Sequence, residues 1–360
     1  MSKSKSPQVS IDLWKSLYQV AGEYLSLTPW KVVSEDDLFA VHDPVSNKIN
    51  YCCVLGEAGE FSGLTLYRGR EGLEMHLQIK EDNFDPENSE IIDLYDAIVV
   101  EFCDRKELDK EDLIVIKQLG MEFSKKEPHP QFRSFLPGYL PWYLNTEEVQ
   151  LLTLALMCAV NHVKQCMTDS NFKRSVCNND KILLYSQKQP DSRSVWEISW
   201  HTPGPLLPKQ FDAFPIDQQK IWALKSKSKS ADTVWESRAF LIPDEIITDS
   251  TRPYFLRIVM IADEGTGEII HTEPVQSFAC PYINLRDTVL STMESLKQLP
   301  SKILVLDENA FRVLSPLKAA LGIEIETNPC LPVIERAKEY LFQELNDRFD
   351  PALAGGPRER

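Results

Sequence analysis

Between Tyr254 and Leu345 the apolar residues switch repeatedly between the two-residue period of a strand and the 3.6-residue period of a helix, and few architectures accommodate that alternation. Tyr254 to Asp263 reads as an apolar strand and Glu264-Gly265-Thr266-Gly267 as a tight turn. Glu268 to Thr272 returns as a second strand, and Val275 to Cys280 is a third. An amphipathic helix over Leu285 to Gln298 leads to a buried strand at Lys302 to Leu306. A second helix, about Asn309 to Leu321, stops at Gly322, where a C-cap glycine belongs. Ile323 to Glu326 is a fifth strand, and Leu331 to Leu345 is a last helix. The order β-β-β-α-β-α-β-α predicts a mixed sheet covered by helices.

Upstream the pattern is of a different kind. A helix is predicted from Ile11 to Leu25, followed by short strands at Leu38–His42, Tyr51–Leu55 and Gly63–Tyr67. Gly69 to about Lys80 reads as a helix and Glu81 to Glu90 as an acidic loop. Ala97 to Cys103 is a strand, and Lys110 to Leu119 a helix. These elements predict a helix plus an antiparallel sheet. The proline-rich stretch Glu127 to Pro141 reads as a linker, and Pro203 to Pro215 as a second joint. Between them lie a long helix, Thr146 to Met167 with Thr146 as its N-cap, and strands at Lys181–Ser186 and Ser194–Trp200. Trp235 to Ile242 adds another strand. The expected division is 1–127 as an N-terminal α+β domain, 128–215 as a connecting region, 216–350 as a C-terminal domain and 351–360 as a flexible tail.

A length of 360 residues is natural for two or three domains. No apolar run approaches the ~20 residues that cross a bilayer, and no apolar core follows the lysines of the first seven residues, so the sequence predicts a cytoplasmic protein with no membrane partner. Eight cysteines include no CxxC pair and sit mostly inside apolar runs, as buried thiols of a reducing compartment do. Cys158, His162 and Cys166 share a helical face, but Met157, Ala159 and Val160 beside them mark a core stripe rather than a metal site. The net charge of −15 disfavours nucleic acid as a partner, because phosphate contacts need Lys and Arg. Lys225 to Ser230, alternating Lys with Ser, reads as a solvated loop.

Two stretches resemble a known family. One is Trp14-x-x-Leu17-Tyr18-x-x-Ala21, then Pro29-Trp30, then Leu66-Tyr67-Arg68-Gly69. The other is Asp263-x-x-Thr266-Gly267, Pro300-x-x-Ile303-x-Val305-x-Asp307, Leu321-Gly322-Ile323 and Leu331-Pro332. Both resemble uncharacterised bacterial proteins described as domains of unknown function, some linked to mobile-element passenger proteins. The family carries no activity to transfer. The element order of the last third also resembles the ribonuclease-H-like fold of integrases and transposases.

That second resemblance implies a test. Such nucleases hold two metal ions between carboxylates from the first strand, the fourth strand and a late helix. The candidates here are Asp263, Asp307 and Glu335. Three observations weigh against them. Residues 231–360 hold 13 Lys+Arg and 21 Asp+Glu, a poor attraction for phosphates. A stripe of Val333, Ala337, Tyr340, Leu341 and Leu345 would leave Glu335 roughly 150° away. Asp263 opens a glycine-containing turn and Asp307 suits a helix N-cap, each a local role. The six histidines are scattered, Gly56, Gly59 and Gly63 do not form a phosphate-binding pattern, and no nucleophile has a base fixed by spacing.

The sequence therefore predicts an α+β protein with an N-terminal helix-plus-antiparallel-sheet module and a C-terminal mixed-sheet, ribonuclease-H-like module. It predicts a non-enzymatic interaction or accessory protein with a protein partner, no metal and no cofactor. The alternative is a divalent-metal nuclease or recombinase-like enzyme using Asp263, Asp307 and Glu335.

Overall fold

The computed structural model describes residues 9–59, 61–80, 92–121, 127–177, 181–187, 195–206, 215–248, 252–275 and 281–349. The chain divides into two compact units, Met1–Leu206 and Leu207–Arg360. The acidic stretch 81–90, the last part of the strand expected at Val275 to Cys280, and the tail 351–360 lie outside the described residues.

The first unit contains, in order, α1 (Ile11–Ser26), β1 (Phe39–His42), β2 (Ile49–Leu55), β3 (Gly63–Tyr67), α2 (Gly69–Lys80), β4 (Ala97–Cys103), α3 (Lys110–Gln118), β5 (His129–Phe135), α4 (Thr146–Thr168), α5 (Ser170–Cys177), β6 (Ile182–Gln187) and β7 (Trp196–His201). Its strands form one seven-stranded sheet in the order β5-β4-β3-β2-β1-β6-β7. Strand alternation sorts the residues by face. Cys52, Val54, Leu64, Leu66, Ile98 and Val100 pack with Leu17, Tyr24, Leu152 and Leu156 of α1 and α4. Tyr51, Cys53, Tyr67 and Ala97 face the other way, with Leu73 of α2.

Residues 128–215 are not the separate connecting region that the prolines suggest. β5 pairs with β4 from Ala97↔Phe135 to Cys103↔His129, and β6 pairs parallel with β1 through Phe39↔Leu183. Pro130 is accommodated because β5 is an edge strand, where a missing backbone donor breaks no ladder. The sheet is accordingly mixed, with its one parallel pair at β1–β6, rather than wholly antiparallel. The long helix α4 is capped by Asn145, one residue before Thr146. The Asn145 side chain accepts from Glu148 N at 2.9 Å, and the Glu148 carboxylate accepts from Asn145 N at 3.0 Å, a reciprocal capping box.

The second unit contains α6 (Gln218–Lys227), β8 (Lys229–Ile247), β9 (Tyr254–Asp263), β10 (Ile269–Val275), α7 (Pro281–Leu296), β11 (Gln298–Val305), α8 (Glu308–Leu314), α9 (Pro316–Leu321), β12 (Glu324–Thr327) and α10 (Pro332–Phe349). The sheet order is β10-β9-β8-β11-β12. β9 runs antiparallel to both neighbours, while β8, β11 and β12 are parallel to one another. One face packs Trp235, Val259 and Ile303 against Val289, Met293 and Leu317 of α7 and α9. The other packs Phe240, Ile258, Met260 and Leu304 against Ile334 and Leu345 of α10.

β8 is longer than its apolar residues indicate, at 19 residues. Lys225 to Ser230 is not a loop: Lys225 and Lys227 end α6, and Lys229 and Ser230 pair with Gln298 and Leu299 of β11. The ladder is a backbone property, so a neighbour of fixed register holds polar residues in a strand. The helix expected at 309–321 breaks in two at Ser315-Pro316 because proline has no N–H and clashes with the preceding turn. α9 restarts with Pro316 at its first position and ends at Gly322, which adopts a left-handed φ of 75°.

Candidate functional site

The central strand β8 carries two charged residues toward α10. Glu236 and Arg238 alternate with Trp235 and Ser237, so both lie on the α10 face, and both are buried. The Glu236 carboxylate accepts from Val333 N at 3.0 Å and Ile334 N at 2.9 Å, filling the N-terminus of α10. Burial pushes its pKa up. The two backbone N–H groups oppose that shift, and Glu264 and Glu335 reinforce it.

Arg238 is 6% exposed and forms an ion pair with Glu335 of α10. Burial pulls its pKa down, and the charges of Glu335 and then Asp307 hold it up. Lys338, one turn beyond Glu335, lies 5.7 Å from the Phe240 ring centre and 5.6 Å from that of Phe342. Its pKa is lowered by burial first and by Arg238 second.

The three carboxylates singled out by spacing are placed differently from one another. Glu335 does not turn away from the sheet. Tyr340 is 66% exposed, and the buried stripe of α10 is Val333, Ile334 and Leu345, with Ala337, Leu341 and Phe342 packed beside them. Exchanging Tyr340 for Ile334 and Phe342 moves the centre of the stripe from roughly 150° to roughly 115° from Glu335, and the side chain reaches Arg238 of β8. Asp307 ends the β11 connection and caps α8, its Oδ1 accepting from Asn309 N at 2.8 Å and Ala310 N at 2.9 Å. Asp263 closes the β9–β10 hairpin. Its Oδ1 accepts from Thr266 N at 2.9 Å, and its backbone N donates to Glu268 O at 2.9 Å. It sits opposite Trp235, on the face away from α10.

Asp307 and Glu335 therefore share the field of one guanidinium, and Asp263 does not join them. Among the described residues, no group of three or more His, Cys, Asp or Glu is placed to hold a metal ion. The sequence reading missed Glu236, Arg238 and Lys338. A signal was present: charges at alternate positions in Trp235-Glu236-Ser237-Arg238-Ala239-Phe240, inside a run otherwise fit for a core strand.

The first unit holds a cleft of about 1420 Å³ at the end of its sheet, lined by Asn50, Tyr51, Arg68, Arg70, Glu148 and His201 among others. Arg68 donates to Asp96, to Glu148 at 2.7 Å and to the carbonyl of Phe135, and Ser134 donates to the same Glu148. Arg70 donates to Gly204 O at 2.8 Å and pairs with Glu74 at 2.8 Å. Tyr51 Oη lies 3.2 Å from His201 Nε2. Arg68 and Arg70 of the wall are thus already engaged by carboxylates and carbonyls.

His162 sits in the core, as the helical stripe predicts. It is stacked on Phe39 at 4.6 Å, with Nδ1 2.9 Å from Tyr185 Oη and Cys166 Sγ 3.7 Å from Nε2. Burial lowers its pKa to about 4.

Residues 14–184 match a domain of unknown function, DUF7309, and residues 220–342 match a second, DUF6930. No curated protein matches the chain. Among solved structures, a chain of a crystal structure of a pre-cleavage Mos1 transpososome is similar at 9% identity, covering 79% of this chain and 89% of that chain with a TM-score of 0.20. A likeness at that level carries no argument. No helix among the described residues is long and apolar enough to cross a membrane. The chain thus carries two uncharacterised domains, a DUF7309 domain followed by a DUF6930 domain.

Proposed function

We propose that this chain is a non-enzymatic interaction or accessory protein whose second unit keeps a ribonuclease-H-like core without a working metal site. The order β10-β9-β8-β11-β12, with only β9 reversed, supports the core assignment. The observation that carries the reading is Arg238. Carboxylates at the end of β11 and on α10 could share a metal pair, but a buried arginine is ion-paired with Glu335 and feels the charge of Asp307. A fixed guanidinium beside them repels a divalent cation, and two-metal chemistry needs several carboxylates free to bridge. The third candidate, Asp263, is spent on its turn. A cytoplasmic setting accords with the six free cysteines among the described residues, five of them buried.

The test is cleavage of single- and double-stranded DNA and RNA by the purified full chain with Mg²⁺ or Mn²⁺. The expected result is no metal-dependent product above that of Asp307→Ala. Cleavage that appears with metal and disappears in Asp307→Ala would establish the alternative, a nuclease or recombinase-like enzyme using Asp263, Asp307 and Glu335.

A further inference from the structure

The two sheets present four edge strands, and three of them carry devices that discourage pairing with another chain. β5 contains Pro130, which lacks a backbone donor. β10 contains Pro274 and a register shift between Ile269 and His271. β12 is four residues long and exposes Glu324 and Glu326. β7 has neither a proline nor a register shift, and carries a single carboxylate, Glu197.

β7 is a regular six-residue strand, paired without interruption to β6 from Ile182↔His201 to Gln187↔Trp196. No strand among the described residues lies on its outer side. Its sequence alternates cleanly: Trp196, Ile198 and Trp200 share one face, and Glu197, Ser199 and His201 the other. Ile198 is 38% exposed and Trp200 41%, a large apolar area for an edge that pairs with no second strand among the described residues.

We propose that β7 is a self-association edge, pairing antiparallel with β7 of a second copy of this chain about a two-fold axis at Ile198. In that register Ile198 meets the partner's Ile198, Trp196 meets the partner's Trp200, and Glu197 meets the partner's Ser199. Aromatic side chains oppose aromatic side chains on one face, and no like charges oppose one another on the other. A parallel, in-register pairing would instead set Glu197 beside the partner's Glu197. The two-fold contact uses the same patch on both copies and so closes on itself. The free edges of the joined sheet are then the two β5 strands, each with Pro130, which limits growth to two copies.

Sedimentation velocity of the full chain from about 1 to 100 μM should show a dimer. Ile198→Lys sets two ammonium groups against each other on the axis, and the dimer should weaken by at least about tenfold with the circular dichroism spectrum unchanged. Ile198→Asp should do the same. An equal mixture of the two variants should regain association, because position 198 meets itself only in this register. A wild-type chain that stays monomeric, an Ile198→Lys variant that dimerises as before, or a mixture that remains monomeric would each overturn the proposal.

Discussion

Arg238 of β8 and Glu335 of α10 form an ion pair that ties the last helix of the second unit to its central strand. Arg238 is almost wholly buried and Glu335 about one-third exposed. Breaking a buried pair from one side leaves the other charge in a low-dielectric setting. Glu335→Leu should therefore destabilise the second unit by about 2 kcal/mol, less than a fully buried pair because solvent reaches the carboxylate. Arg238→Met combined with Glu335→Leu should recover most of that loss. Urea unfolding of the single and double variants measures both.

Asp307 holds two N–H groups at the start of α8 through one carboxylate oxygen. Asparagine caps helices as well as aspartate does, whereas alanine forfeits about 1 kcal/mol. Asp307→Asn should leave the melting temperature nearly unchanged, and Asp307→Ala should lower it by several degrees. Equal damage from both substitutions would show that the charge of Asp307 matters beyond the cap.

His162 makes the first unit sensitive to acid. Its folded-state pKa of about 4 lies below the ordinary value of 6.5, because burial disfavours the imidazolium. A depressed value means that its contribution to stability is complete above pH 6.5 and is lost as the pH falls toward 4. The size of that contribution is about 3 kcal/mol. His76 is lowered to about 4, chiefly by burial and next by Lys80, and titrates in the same window. Unfolding followed between pH 7 and 4.5 should therefore show falling stability with a shallower slope in His162→Phe. Carboxylates common to both proteins cancel in that comparison.

Gly63 has no room for a methyl group. A Cβ built there would stand 2.0 Å from the carbonyl oxygen of Val100, while Tyr24 Oη donates to the Gly63 carbonyl at 2.8 Å. Because the obstruction is backbone in the adjoining strand, β3 and β4 would have to part. Gly63→Ala should cost about 3 kcal/mol, the upper end for overpacking, and Gly22→Ala no such penalty, since nothing crowds Gly22 in α1 and alanine favours a helix. Thermal melts of the two variants give the comparison.

Much of this fold is legible in the chain's own periodicity. α2, β4 and β3 stand where apolar spacing puts them, as do β9, β11 and β12, but the sheet of the second unit begins with β8, outside the run read from Tyr254, and Val275 ends β10 rather than opening a further strand. The misread segments share a cause: long-range pairing overrides local composition. His129 to Phe135 carries a proline beside polar residues, yet β4 offers it a ladder. Lys229 and Ser230 lack any apolar signal, yet β11 holds them. The charged cluster was hidden for a related reason. Asp307 and Asp263 announce themselves by local turn and cap chemistry, whereas Arg238 and Glu335 are 97 positions apart in the chain and meet only after β8 and α10 have packed.

The parallel pairing of β1 with β6 also bears on how the first unit is made. Phe39 finds its neighbour Leu183 roughly 140 residues later, so one flank of β1 stays bare while everything between is synthesised. During that interval Phe39, Ala40 and Val41, fully enclosed in the finished sheet, sit on an open margin. A nascent chain halted before β6 would present that margin to any chaperone or neighbouring polypeptide able to complete it.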